Sequence, residues 1–407
     1  MRDKNLFIFF IFSIATSALG FISVLVLIRL IAPSEFGRIA IFFSLLFLVA
    51  PVLSVAADSL IAVNKSKLNF KEYEFFRRNY VSMAYIIFLF LQLLFLIIYA
   101  VGVYNDSLFL FIPIVALLKY LINLATNEYI MEKQSVKYGL FQFLTAALSL
   151  VLTVSFMILM SATADLRILA LIIADLLFIY VRYRGRMHLL LNVVFDSYQW
   201  RDIIRFGLPL LVAIAPAWLL NEADKLIVFR FSDIESVGMY AAACAIGGFT
   251  VIFNTSLLNA TIPNLYAELA VKTFSVLVVT KRFMLRYILA STTFAIVFAA
   301  AYAILGHIIL PEKYLAARSV VYWVILFSLS RSFYAILGAV TEYFSMTIEK
   351  LKGITIGALA ALLGMFVGIL NYGIAGVAVG IGVGYFVLSI SLWLSIVKKS
   401  RLAMDTK

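Results

Sequence analysis

Charged and amide side chains occur inside strongly apolar segments of this chain, where they are the groups able to bind an ion or a polar ligand. The clearest case is the segment 207–231, which is long and apolar enough to cross a bilayer yet contains the polar run from Asn221 to Lys225. A charge in the hydrocarbon core is costly unless it faces a wet cavity or a partner. Pro209 and Pro216 in the same segment indicate a bending helix and predict a hinge there.

Polar residues of the other apolar segments extend this set of candidates. Guanidinium and ammonium groups bind phosphate oxygens through charge-assisted hydrogen bonds, so the cations predict a site for phosphate or pyrophosphate. These cations are Arg29, Lys119, Lys225 and Arg331. A desolvated carboxylate can titrate near neutral pH, so the acids are candidates for binding a coupling proton or cation. These acids are Asp58, Asp175, Glu222 and Asp224.

Structural roles compete with these functional ones. Lys119 and Asp175 can form a structural ion pair, for which Asp58 is a competing partner. Glu222 and Lys225 stand three residues apart on one helical turn and can partly neutralise each other. The sequence leaves these alternatives open.

Depth in the bilayer separates two of the arginines. Arg29 lies near the outer end of its segment, where its long side chain can reach the interface. Arg331 lies about fourteen residues into its segment, too deep for easy access from the outer side. We therefore expect Arg331 to face a cavity.

Enzymatic chemistry has little support in this sequence. The two histidines, His188 and His307, fall on opposite sides of the predicted membrane, and no His/Cys cluster has the spacing of a metal site. We therefore expect neither a metal nor a cofactor.

The composition predicts the elements that position these residues. Hydrophobic residues make up 64% of the 407 and charged residues 13%, which is typical of a polytopic membrane protein. Alternating strand patterns are absent, so the predicted fold class is an all-α bundle. About twelve transmembrane helices are predicted, at 6–28, 39–63, 80–103, 108–126, 139–160, 166–181, 207–230, 237–259, 284–305, 317–339, 353–371 and 374–397.

Lysine and arginine positions predict the orientation. With both termini in the cytoplasm, most of the 33 basic residues fall in inner segments, as the positive-inside rule requires. The outer segments receive Arg29, Arg38, Arg167, Lys225, Arg230, Lys313 and Arg318. The net charge of +12 is thus a signal of topology, and nucleic-acid binding is excluded because no separate basic domain exists to carry it.

The spans divide into two predicted lobes of six, 1–195 and 196–407. A weak repeat supports a duplication, since Arg29 and Gly37 have the same separation as Arg230 and Gly238. The last two spans are rich in glycines at small-xxx-small spacing, which predicts close packing of these two helices.

Several motifs resemble those of Wzx-type polysaccharide flippases. The middle of the chain has RFGLPL at 205–210, WLLNEADK at 218–225 and VGMYAAA at 237–243. Further similarities are RLIAPSEFG at 29–37 and NYGIAGVA at 371–378. Lys225 stands where the family usually has arginine, which keeps the charge but loses the fork geometry.

This resemblance implies a fold of the MATE-like MOP flippase superfamily, with two six-helix lobes around a central cavity that opens alternately to each side. It implies transport of an undecaprenyl-pyrophosphate-linked oligosaccharide, such as an O-antigen repeat unit, across the bacterial inner membrane. The four cations would bind pyrophosphate, while Asn254 and Asn259 would contact sugar. Some members have fourteen spans, so features of the extra pair do not carry over.

Two other functions remain alternatives. A MATE-type antiporter of small organic cations would have a cavity dominated by acids and aromatics, whereas this set is mixed to basic. A membrane polysaccharide polymerase would typically carry a large outer loop with arginines, and the sequence has no such loop.

Overall fold

The described part of the chain is entirely helical. The computed structural model describes residues 2–185, 187–271 and 275–405, and no strand occurs within these ranges. Its α-helices are α1 Arg2–Leu30, α2 Pro33–Leu53, α3 Ser59–Lys67, α4 Phe70–Ala100, α5 Ile112–Met131, α6 Ser135–Leu159, α7 Ala164–Tyr183, α8 His188–Leu191, α9 Ser197–Asn221, α10 Ala223–Phe231, α11 Ile234–Gly247, α12 Phe249–Ala270, α13 Val276–Ile309, α14 Ala317–Tyr343, α15 Thr347–Tyr372 and α16 Ile374–Asp405. Short 3₁₀ turns at Ser107–Phe111 and Glu312–Tyr314 precede α5 and α14.

Eleven helical segments in the described ranges are long and apolar enough to cross a membrane. They coincide with every predicted span except the sixth. That span corresponds to α7, which is long enough but carries four charged residues along its 20 positions, Asp165, Arg167, Asp175 and Arg182. The all-α polytopic fold class is confirmed, and the chain is a multi-pass membrane protein.

Three predicted spans are interrupted at points where we predicted continuous helix. The second ends at Leu53 and is followed by a non-helical turn before α3 begins at Ser59. Val55 and Ala56 in this turn have φ of +50° and +51°, a left-handed conformation that costs energy for side chains of this kind. The seventh span is divided at Glu222 and the eighth at Gly248.

Two compact units make up the chain, an N-terminal unit Met1–Ala215 and a C-terminal unit Pro216–Lys407. Arg38 stabilises the predicted outer end of the N-terminal unit. Its Nε and Nη2 donate hydrogen bonds to the two carboxylate oxygens of Asp106 at 2.8 and 2.7 Å. Arg38 also pairs with Glu35 and Asp165. Burial, the largest single influence, would raise the pKa of Asp106, but the hydrogen bonds from Arg38 and the Leu108 N–H together with the Arg38 charge lower that pKa overall.

A second network fastens the opposite end of the N-terminal unit. The buried carboxylate of Glu128 accepts hydrogen bonds from Arg77 at 3.2 Å and from Arg182 at 3.0 Å. The hydroxyls of Tyr73 and Tyr183 donate to the same group. A buried acid with this many donors is fully compensated, so we assign the network to holding α4, α5 and α7 together.

In the C-terminal unit, α15 and α16 pack backbone to backbone along their glycines. A Cβ placed on Gly376 would lie 2.0 Å from the carbonyl oxygen of Gly368, and one on Gly364 would lie 2.9 Å from the Cα of Gly380. Only residues without a side chain allow this approach. The predicted close packing of the last two spans is confirmed.

Candidate functional site

Arg331 of the C-terminal unit contacts an amide and an aromatic ring. Its Nη2 donates to the side-chain oxygen of Asn221 at 3.0 Å, and its guanidinium lies 4.8 Å from the ring centre of Tyr385. The Tyr385 hydroxyl donates to the same Asn221 oxygen at 2.6 Å. None of the salt bridges between described residues of this unit involves Arg331. Its guanidinium is therefore oriented by Asn221 and Tyr385 and makes no salt bridge among the described residues.

Two cavities of the C-terminal unit share Arg331 as a wall residue. One, the Asp224 cavity, has a volume of about 140 Å³, and its polar lining is Asn221, Asp224, Lys225, Tyr240, Cys244, Ser328 and Arg331. The other, the Tyr334 cavity, has a volume of about 180 Å³, and its polar lining is Asn254, Thr255, Tyr287, Arg331, Tyr334 and Glu342. The prediction that Arg331 faces a cavity agrees with this placement.

Lys225 is paired with its own neighbours. The break at Glu222 ends α9 and starts α10, and it brings the Lys225 ammonium to 2.7 Å from Glu222 and 3.2 Å from Asp224. Asp224 is buried. Of the two alternatives the sequence left open, the structure shows the mutual neutralisation of Glu222 and Lys225, with Asp224 as a second partner.

Polar bonds between α12, α13 and α14 fix the helix that carries Arg331. Asn254 donates from Nδ2 to Ser332, the next residue after Arg331, at 3.2 Å. One turn earlier on both helices, Thr250 and Ser328 share a hydrogen bond of 2.8 Å. Asn254 is thus a buried residue at the edge of the Tyr334 cavity, whereas Asn259, the other predicted sugar contact, is exposed and lines neither cavity.

The N-terminal unit contains three further predicted site residues, Lys119, Asp175 and Asp58. Lys119 contacts both carboxylate oxygens of Asp175 at 3.0 and 2.7 Å, so the structural ion pair forms with Asp175 and not with Asp58. Asp58 lies in the turn after α2, where it accepts a hydrogen bond from Ser54 at 2.8 Å. Lys119 and Asp58, but not Asp175, border a cavity of about 170 Å³, the Asn123 cavity. It is lined by Phe47, Ala50, Pro51, Ser54, Asp58, Lys119, Tyr120 and Asn123.

The other predicted residues lie elsewhere. Arg29 is exposed in the last turn of α1. Helix α9 runs without interruption past Pro209 and Pro216, and its break comes at Glu222. Within the described ranges, no group of three or more His, Cys, Asp or Glu side chains is placed to hold a metal.

Sequence reasoning missed several residues that the structure places at these cavities. Tyr385 and Tyr287 occur in apolar spans among many other aromatics, and nothing in their spacing marks them. The same is true of Phe47 and Tyr120. Their signal is three-dimensional, because each approaches a polar residue from a helix distant in the chain.

Comparison with solved structures identifies the fold of the chain. No family model and no curated protein matches the sequence. A solved structure of the lipid II flippase MurJ in an inward closed conformation matches with a TM-score of 0.75 and 13% identity, over 95% of this chain and 87% of MurJ. The chain has a MOP-like fold.

Two transporters agree with this result. An inward-facing multidrug resistance MATE family transporter of the MOP superfamily matches with a TM-score of 0.70 and 15% identity, over 96% of both chains. A point mutant of the Vibrio cholerae MATE transporter VcmN matches with a TM-score of 0.58 and 16% identity, over 98% of both chains. At these identities the MOP similarity establishes the fold, and the Wzx-type resemblance is not confirmed by it.

Proposed function

We propose that the protein is a flippase that moves an undecaprenyl-pyrophosphate-linked O-antigen or related polysaccharide repeat unit from the cytoplasmic to the periplasmic leaflet by alternating access. The observation that carries this proposal is Arg331, a cavity-lining cation that makes no salt bridge with a described carboxylate. MurJ, which shares the fold, is itself a lipid II flippase. The protein would lie in the bacterial inner membrane with both termini in the cytoplasm.

The partners of Arg331 suit it to bind and release a phosphate. Removing a carboxylate partner from a buried arginine would cost several kcal/mol, whereas an amide oxygen is replaced at little cost. The guanidinium offers several donors in one plane, which matches two phosphate oxygens at once. The ring of Tyr385 keeps this plane in place while the ligand exchanges.

The other cations contribute less in this scheme. Lys119 and Lys225 are charge-paired, and Arg29 is exposed, so each would add positive potential without being the main ligand of the pyrophosphate. The sugar role of Asn254 and Asn259 and the hinge role of Pro209 stay predictions.

Three further assignments also stay predictions. They are the hinge role of Pro216, the lobes 1–195 and 196–407, and a coupling proton or sodium ion at the acids Asp58, Asp175, Glu222 or Asp224.

Complementation tests the proposal. In a strain that lacks the gene, we expect surface polysaccharide to disappear and complete lipid-linked repeat units to accumulate on the inner leaflet. The Arg331→Gln variant should restore at most about a tenth of the wild-type surface polysaccharide, because a charged hydrogen bond to phosphate contributes more than tenfold in affinity. Arg331→Lys should restore an intermediate level, since it keeps the charge but not the fork.

The matched control is Arg286→Gln, which removes an exposed arginine of α13 that lines neither cavity. It should restore wild-type polysaccharide at equal protein abundance. Equal restoration by Arg331→Gln and Arg286→Gln would contradict the proposal. Single unpolymerised units on the surface of the deletion strain would instead indicate a polymerase.

A cation-coupled antiporter of small organic molecules is the second candidate. The buried acid Asp224 beside Glu222 favours it, together with the MATE-like fold. Under this function, deletion would sensitise the cells to organic cations and leave their polysaccharide intact.

A further inference from the structure

The Asn123 cavity of the N-terminal unit has the chemistry of a binding site for uncharged sugar hydroxyls. Its one strong cation, Lys119, is held by both oxygens of Asp175, a carboxylate that is 1% exposed. Asp58 remains as a partly exposed acid at the same cavity. A phosphate would meet this carboxylate at close range, so the cavity disfavours an anion and favours a donor of hydrogen bonds.

The polar groups of the cavity suit adjacent hydroxyls. Lys119 and Asn123 are one helical turn apart on α5 and therefore project from the same face. Asn123 is exposed and offers both an amide donor and a carbonyl acceptor, while Asp58 offers acceptors only. Hydroxyls on neighbouring carbons of a sugar both donate and accept, which this combination can satisfy.

Two aromatic residues complete the lining. Phe47 lines the cavity and is 56% exposed, so its ring is accessible to a ligand there. The C–H face of a pyranose is apolar and packs well on such a ring. Tyr120 also lines the cavity, with its hydroxyl buried below the accessible surface.

The backbone beside the cavity is held in an unusual shape. Val55 and Ala56 adopt left-handed conformations between Ser54 and Asp58. Gly207 of α9 supports this turn, because a Cβ at Gly207 would lie 1.8 Å from the Val55 carbonyl oxygen. Such strain persists where the surrounding structure enforces it, as it does at many binding sites.

We propose that the Asn123 cavity binds one pyranose ring, with Asp58, Asn123 and Lys119 on its hydroxyls and Phe47 on its face. The volume of about 170 Å³ has room for a single ring. The inference rests on the proposed function and names the part of the substrate that this cavity takes.

Direct binding to the detergent-solubilised full chain tests it. The probes are a panel of methyl glycosides with gluco, galacto, manno, 6-deoxy and N-acetylamino configurations, and separately inorganic pyrophosphate, measured by saturation-transfer NMR. We expect at least one glycoside to bind the wild type, and Asn123→Ala and Phe47→Ala each to weaken it by about fivefold or more. Pyrophosphate binding should not change in either variant.

Two controls match these variants. Asn371→Ala removes an exposed asparagine whose amide bonds its own helix, and Phe90→Ala removes an exposed phenylalanine of α4. Both should bind glycoside like the wild type. The inference is overturned if no glycoside binds, or if the Asn123 and Phe47 variants bind it like their controls. Pyrophosphate binding that is insensitive to Arg331→Gln would instead contradict the proposed function and leave the glycoside result intact.

Discussion

The hydroxyl of Tyr287 donates to the backbone carbonyl of Asn254 at 2.6 Å, and the N-terminal unit repeats this relationship with Tyr80 and the carbonyl of Ser54 at 2.7 Å. In each unit the tyrosine lies on the third predicted span and the carbonyl on the second. Each carbonyl belongs to a residue that lines a cavity. The equivalence favours the duplication that the sequence predicted from Arg29 and Arg230.

Removing the Tyr287 hydroxyl should loosen the Tyr334 cavity. Tyr287→Phe keeps the ring and loses one hydrogen bond, for an expected destabilisation of about 1 kcal/mol. We expect a lower melting temperature of the purified protein and less surface polysaccharide per molecule. Tyr372→Phe, at an exposed tyrosine, is the control. Identical melting temperatures for the two variants would show that the bond contributes nothing.

The Lys119–Asp175 pair should be strongly coupled. Asp175→Asn leaves the ammonium without its counter-charge, and Lys119→Met leaves a buried carboxylate. Because Lys119 is 37% exposed, we expect the loss from Lys119→Met to reach about 3 kcal/mol and that from Asp175→Asn to be smaller. The double variant should be more stable than the sum of the single losses predicts. Additive losses in thermal unfolding would argue against a direct pair.

Acid should weaken the network around Arg38. The pKa of Asp106 is lowered in the folded protein: burial opposes this shift, and the hydrogen bonds from Arg38 and the Leu108 N–H together with the Arg38 charge outweigh burial. The resulting stabilisation is fully present above the unfolded pKa of about 3.9 and is lost as the pH falls through the folded value. Asp106→Asn should therefore cost about 2 kcal/mol at pH 7 and progressively less below about pH 4. A stability difference that stays constant down to pH 3 would contradict this account.

Replacing a glycine at the contact between α15 and α16 by a larger residue should push these two helices apart. Gly376→Ala places a Cβ 2.0 Å from the Gly368 carbonyl, a backbone atom that cannot move aside, so we expect a loss of about 1–3 kcal/mol. Gly20→Ala is the control, since a Cβ there meets nothing within 4 Å and alanine favours the helix. Thermal unfolding in detergent measures both. A Gly376→Ala protein as stable as Gly20→Ala would show that the helices are less tightly packed.

The sequence by itself predicted the helices, their order and the polar residues inside them. Hydrophobicity and helical length are local properties, so the spans at 108–126 and 317–339 could be placed within a few residues of α5 and α14. The glycine spacing of the last two spans likewise predicted their packing. A helix, α7, lies where the sixth span was predicted, but its charges leave it outside the eleven segments that are apolar enough to cross a membrane.

Only the tertiary structure decided which charges are neutralised. Lys119, Lys225 and Arg331 look alike in the sequence, as cations within apolar segments. The partner of Lys119 lies on another helix, whereas those of Lys225 are its sequence neighbours Glu222 and Asp224, and the sequence leaves open which of these contacts form. Packing brings a carboxylate of α7 to Lys119 and places Glu222 beside Lys225, while Arg331 contacts the Asn221 amide and the Tyr385 ring. An ion pair forms only within a few ångströms, and that proximity is a property of the folded chain.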